Sequence, residues 1–178
     1  AIKVQGGSFF YIVGRFQGTA DFDPSALTSN LTSVGTDDIF IARYTVNGQY
    51  DFANSLGGSS ADLAADIHFD ASGNLYLTGA FSGSMDFDPG LGSVLINSTG
   101  FTDAFVASYD ALGNYRWAFP LRDPRFFGNS GNAILIDGSS LYVGGSFSGT
   151  SDFDPSPAVA NLIPVGFSNS FIAKYTLA

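Results

Sequence analysis

Along this 178-residue chain, apolar residues recur at every second position in short runs, and Gly, Ser and Asp fill the gaps between runs. That is the pattern of short strands, each with one face turned inward. One face of such a run carries Phe10, Ile12, Gly14 and Phe16. A second repeats it as Leu75, Leu77, Gly79 and Phe81, and a third as Leu141, Val143, Gly145 and Phe147. The opposite face carries Tyr11 and Val13, Tyr76 and Thr78, Tyr142 and Gly144, so both faces are expected to be covered. A shorter strand precedes each run, with Ile2 and Val4, Ile67 and Phe69, or Ile134 and Ile136, and a tight Gly/Ser turn joins the two. A third strand is predicted at Ile39–Tyr44, Ala104–Tyr109 and Ser170–Tyr175. A fourth follows a Gly-containing turn at Tyr50–Ser55 and Tyr115–Phe119. The third copy reaches only Thr176-Leu177-Ala178, where the turn to a fourth strand would begin.

The strands belong to a tandem repeat. YIVGRFQGTADFDP starts at Tyr11, YLTGAFSGSMDFDP at Tyr76 and YVGGSFSGTSDFDP at Tyr142. Four antiparallel strands per unit with no helix between them predict an all-β chain of β-propeller blades, since a blade buries both faces only by stacking on others. Blade 1 is expected over 1–57, blade 2 over 58–122 and blade 3, lacking its outer strand, over 123–178. Nearly three blades make an incomplete propeller. It would be finished by self-association or by the remainder of a larger one. Because the first residue is Ala1 and not Met, the sequence reads as a processed form or an excised fragment.

Alternation also places the connections. First-to-second and third-to-fourth turns are tight and share one end of the blades. The second-to-third connections, and the fourth-to-first stretches Leu56–Ala64 and Leu121–Gly131, are long and share the other end. From the second Asp of DFDP to the third strand the spacing is constant, from Asp23 to Asp38, Asp88 to Asp103 and Asp154 to Asn169. Constant length predicts ordered loops, and loops on a rigid β scaffold are the usual place for a partner.

Composition sharpens this picture. Hydrophobic residues make up 45% against 13% charged, which excludes a disordered chain. All 16 acidic residues are Asp, a turn former, and 18 Phe with 8 Tyr favour strands. A net charge of −9 argues against nucleic acid and anionic membrane as partners. The absence of Cys removes disulfides and Cys-based metal or nucleophile chemistry. No apolar run approaches the length of a membrane span, so no membrane insertion is expected.

Few residues carry candidate chemistry. DFDP recurs at Asp21-Phe22-Asp23-Pro24, Asp86-Phe87-Asp88-Pro89 and Asp152-Phe153-Asp154-Pro155. One reading is structural, with Phe in the core, Asp bonding turn backbone and Pro ending the ladder. The other is a Ca²⁺ site built from these Asp pairs with Asp38 and Asp103. Against calcium, Asn169 replaces the acid in the third copy, and the spacing lacks that of dedicated calcium loops. No other cofactor is expected. Arg122, Arg125, Phe126 and Phe127 combine basic and aromatic residues in a loop without counterpart in the first repeat, the composition of an interface anchor. His68 is the only histidine, so no triad or His-rich metal site can form around it. Trp117 matches Phe52 and is read as packing. Asn30 and Asn97 open sequons for N-glycosylation. No catalytic set emerges. An Asp-dependent hydrolase would need two carboxylates about 5–10 Å apart in a pocket.

Asp70-x-Ser-Gly-Asn-Leu-Tyr-Leu-Thr-Gly-x-Phe81, Asp86-Phe-Asp-Pro-Gly90, Thr102-Asp-Ala-Phe-Val-Ala-Ser-Tyr-Asp110 and Gly113-Asn-Tyr-Arg-Trp-Ala118 resemble the bacterial β-propeller repeats known as SBBP. The resemblance spans nearly the whole chain and is strongest in the middle copy. It implies an extracellular or cell-surface bacterial protein whose blades serve as structural or binding modules, with no catalytic residues to transfer. The expected function is therefore a non-enzymatic structural or adhesion module that self-assembles through its open blade edges. The alternative is a module binding glycan or protein with its long-loop face.

Overall fold

The computed structural model describes residues 1–122 and 128–177. Every element among them is a strand, and the fold is all-β and propeller-like. The first repeat contains β1 (Ile2–Gln5), β2 (Phe9–Phe16), β3 (Thr19–Asp21), β4 (Asn30–Thr32), β5 (Asp38–Thr45) and β6 (Tyr50–Gly58). The second contains β7 (Asp62–Phe69), β8 (Leu75–Phe81), β9 (Ser84–Asp86), β10 (Leu95–Asn97), β11 (Asp103–Tyr109) and β12 (Tyr115–Leu121). The third contains β13 (Ser130–Asp137), β14 (Ser140–Phe147), β15 (Ser151–Asp152), β16 (Asn161–Leu162) and β17 (Asn169–Thr176).

The long strands form antiparallel meanders in the orders β1-β2-β5-β6, β7-β8-β11-β12 and β13-β14-β17. Their registers correspond, since Val13 lies opposite Ile41, Thr78 opposite Val106 and Gly144 opposite Ile172. Successive sheets stack face to face, β7 against β2 and β13 against β7 and β8. One core fills the first seam, with Tyr11, Ile39 and Ile41 meeting Ile67, Leu77 and Phe105. A second core fills the next seam, with Tyr76, Ala104 and Val106 meeting Ile134, Val143 and Phe171. Each face of the middle sheet is thus buried by a neighbour, and β11 is buried along its whole length.

Alternating apolar residues make these strands, and two glycine features set their geometry. The turns Asp70–Asn74 and Asp110–Asn114 place Gly73 and Gly113 at φ 82° and 83°, a region side chains rarely enter. In both, one oxygen of the Asp accepts two backbone amides of the turn and the other accepts the Asn side chain. Close approach explains the glycine of each second strand. A Cβ on Gly79 would fall 1.8 Å from the carbonyl oxygen of Leu63, and one on Gly145 would fall 2.0 Å from that of Ser130 and 2.7 Å from the Phe171 ring.

Two sequence expectations require correction. The stretch Leu56–Ala64 is not a long loop, because β6 continues to Gly58 and β7 begins at Asp62. Its two glycines and two serines resemble a linker in composition. They lie instead where backbones pack closely, and a Cβ on Gly58 would sit 1.8 Å from the carbonyl oxygen of Ser84. Nor are the second-to-third connections simple loops. Each folds back as a small ribbon, β3 with β4, β9 with β10 and β15 with β16. The second ribbon adds to the end of the first sheet by pairing Gly57 with Asp86 and Gly58 with Met85, and Asp152 bridges to Arg122 in the same way.

Candidate binding surfaces

The first Asp of each DFDP holds its ribbon closed. Asp21 Oδ1 accepts the amides of Asp23 and Ser29 at 3.0 and 2.8 Å. Asp86 Oδ1 accepts those of Asp88 and Val94 at the same distances, and Asp152 Oδ1 those of Asp154 and Ala160 at 3.0 and 2.9 Å. Amide bonds from Ser29 and Asp23 hold the Asp21 carboxyl below the ordinary range. For Asp86, burial pushes up, but the amides of Val94 and Asp88 and the Ser93 side chain outweigh it. The second Asp serves the next turn, with Asp23, Asp88 and Asp154 accepting the amides of Ser25, Gly90 and Ser156.

The Phe between them packs into a ring cluster, buried at Phe87 and Phe153 and half-buried at Phe22. Phe16, Phe22 and Phe40 form a ring trio that recurs as Phe81, Phe87 and Phe105 and again as Phe147, Phe153 and Phe171. A Tyr closes each motif by donating its hydroxyl to the Phe carbonyl: Tyr44 to Phe22 at 2.8 Å, Tyr109 to Phe87 at 3.1 Å and Tyr175 to Phe153 at 2.9 Å.

Asp38 and Asp103 lie at the far end of the ribbons and are buried. Asp38 accepts the amide of Val34 and Asp103 that of Thr99, both at 2.9 Å. Asn169 accepts the amide of Val165 at 3.0 Å, so the third copy performs the same task without a charge. The eight proposed calcium ligands therefore face backbone amides. Among the described residues, no three His, Cys, Asp or Glu side chains gather where a metal could sit.

Of the predicted partner-binding cluster, Arg122 is exposed and donates from Nη1 to the carbonyl of Asn97 at 3.1 Å. Arg125, Phe126 and Phe127 lie outside the described residues. His68 is half-buried on β7, with Nδ1 3.1 Å from the carbonyl oxygen of Phe69. Trp117 packs on Tyr76 and Phe119, as its match to Phe52 predicted. Asn30 and Asn97 are both exposed on ribbon strands.

Two features escaped the sequence reading. First, the ribbon connections carry exposed apolar residues in every repeat, among them Leu27, Val34, Leu91, Phe101, Ile163 and Phe167. They fall at both ends of the ribbons, Leu27 and Leu91 in the tip loops and Val34, Phe101, Ile163 and Phe167 where each ribbon leads into the next long strand. Their apolar character was visible, but not that ribbon pairing would turn them outward. Second, Asp62 joins Asp38 in the first seam, where both are buried. Burial, and after it the Asp38 charge, push Asp62 up to about 7, against amide bonds from Ser82 and Gly58. Asp38 Oδ1 has no hydrogen-bond partner among the described residues. Backbone crowds this pair, since a Cβ on Gly57 would stand 2.3 Å from the Asp38 carboxyl carbon. The alignment of Asp62 with Asn129 was hidden by its assignment to a loop.

No family model matches the chain. It is 27% identical over 135 residues to the regulatory protein FlaEY of Caulobacter vibrioides, covering 73% of this chain and 14% of that protein. It is 24% identical over 163 residues to a WD repeat-containing protein of Acanthamoeba polyphaga mimivirus, covering 82% of this chain and 11% of that one. The chain thus spans a small fraction of either relative. The similarity to a WD repeat protein agrees with a propeller-like repeat fold. Neither relative is named for an enzymatic activity.

Proposed function

We propose that this chain is a non-enzymatic structural or adhesion module of an extracellular or cell-surface protein, built from repeats of the SBBP type, and that its ribbons are the contact surface. The observation carrying this reading is the pairing of rigidity with exposed apolar side chains. Three Asp carboxylates close the ribbon tips, while Leu91 stands in solvent on one tip and Ile163 and Phe167 where the third ribbon leads into β17. A pre-ordered apolar surface loses little entropy on contact, which favours adhesion. Among the described residues, the buried carboxylate pair Asp38 and Asp62 is crowded by backbone, which favours this reading over a hydrolase.

Adsorption to apolar beads and to bacterial cell surfaces tests the proposal. Replacing Leu91, Ile163 and Phe167 together by Asp should reduce retention at least about tenfold, as expected when several exposed apolar anchors are lost. Thermal stability should be unchanged. Retention equal to that of the parent chain would overturn the reading.

A further inference from the structure

Repetition gives the first seam an internal control, because the second seam is built from corresponding strands. There Asp103 accepts both the amide and the hydroxyl of Thr99, with Oγ1 3.1 Å from Oδ2. Asn129 donates to the Leu121 carbonyl at 3.1 Å and accepts from the Ser151 hydroxyl at the same distance. The second seam thus buries one carboxylate of the pair, and side-chain hydroxyl and amide donors serve its acceptors.

The first seam lacks each of those donors. Val34 stands where Thr99 does, Met85 where Ser151 does and Asp62 where Asn129 does. The Leu56 carbonyl takes the place of that of Leu121, since Leu56 lies opposite Ile39 as Leu121 lies opposite Ala104. Asp38 lies against Gly57, where a Cβ would stand 2.4 Å from Oδ1, and Asp62 accepts the next amide, of Gly58. Two buried carboxylates thus meet over one peptide of β6, and neither has an ion-pair partner among the described residues. Asp38 Oδ2 accepts the Val34 amide, but the enclosed Oδ1 receives no donor. A buried charged oxygen without a partner is strongly unfavourable, so the seam is short of positive charge.

We propose that a small monovalent cation of the size of sodium fills this deficit, held by Asp38 Oδ1, the Asp62 carboxylate and the Leu56 carbonyl. All three are the oxygen ligands that a hard cation takes. Calcium fits poorly, since it takes about six to eight oxygens. Magnesium keeps several waters, for which the backbone at Gly57 leaves no room. The ion would join β5 and β6 to β7 and tighten the first seam. No ribbon contact is involved, so this proposal and the adhesion reading fail separately.

Thermal melts of the full chain test it at pH 8, where Asp62 is charged. Sodium chloride is compared with choline chloride at equal ionic strength, because choline screens charge but is too large to enter the seam. Full replacement of choline by sodium should raise the melting temperature by about 2–4 °C. Asp62→Asn, which copies the second seam, should melt alike in the two salts. Val34→Thr, at an exposed position, gives Asp38 the hydroxyl that Asp103 has and should shrink the sodium effect. Equal melting of the parent chain in both salts would overturn the proposal, as would a sodium effect that survives in Asp62→Asn. A larger rise on adding calcium at the same ionic strength would overturn the monovalent assignment.

Discussion

Asp62 and Asn129 hold the same place in successive repeats, each donating its amide across a seam, to Asp37 and to Thr102. Asn129 is satisfied, with Nδ2 donating to the Leu121 carbonyl and Oδ1 accepting from Ser151. Asp62 carries a charge that its surroundings oppose, which is why its carboxyl is pushed up to about 7. The folded chain therefore binds a proton there between the ordinary Asp range and about 7, whereas the unfolded chain does not. The sign follows: this contribution to stability is full at the acidic end and is lost as pH rises toward 7. Asp62→Asn should remove that slope. It should also raise stability at pH 8 by on the order of 1–3 kcal/mol, because an amide carries no charge to desolvate, although its Nδ2 must displace one of the two backbone amides, of Gly58 and Ser82, that the carboxylate accepts. Urea unfolding at pH 5 and pH 8 measures both, and a slope identical to that of the parent would sink the assignment.

At the scale of an element, the DFDP ribbon was only partly legible. Its Phe, its turn-bonding Asp and its fixed length follow from residue types and spacing. That the connection pairs with itself, and that β9 then joins the preceding sheet through Gly57 and Gly58, depends on residues far away in sequence. The same remoteness caused Leu56–Ala64 to read as a loop, since local composition outweighs a pairing that local pattern cannot display. The carboxylate cradle predicts graded costs. Asp86→Ala strands two amides beside a buried Phe87 and should cost about 1–3 kcal/mol. Asp21→Ala should cost less, because the amides of Asp23 and Ser29 lie in an exposed segment where water can replace the acceptor. Thermal melts of the two variants rank them, and equal losses would contradict the cradle as the cause.

For the whole molecule, the seams decide whether the repeats unfold together. The first seam is stitched by donors reaching backbone carbonyls of the second sheet. Lys3 reaches Ile67 at 2.9 Å, Gln5 reaches Gly73 at 2.7 Å and Asn54 reaches Gly113 at 3.1 Å. Arg43 joins the carbonyl of Ala111, pairs with Asp51 and touches the Tyr11 hydroxyl. Arg43→Ala leaves the Ala111 carbonyl and the Tyr11 hydroxyl with only their bond to each other and Asp51 without its cation, and should cost about 1–3 kcal/mol. It should also uncouple the first sheet. Trp117 packs on Tyr76 and Phe119 at the second seam, so its fluorescence should then report a later transition than far-ultraviolet circular dichroism. Coincident transitions would show that the remaining bonds suffice.

The sequence by itself determined the all-β repeat, the strand faces and turn positions, and the tight Asx turns. All of these rest on interactions between residues close along the chain or on a period repeated three times. Tertiary structure decided what depends on separation: the ribbons and their outward apolar residues, and the Asp38–Asp62 pair across a seam. A residue's type indicates that it will be buried or bonded. Only packing fixes which partner it meets, because backbone sterics and burial are shared among strands distant in sequence.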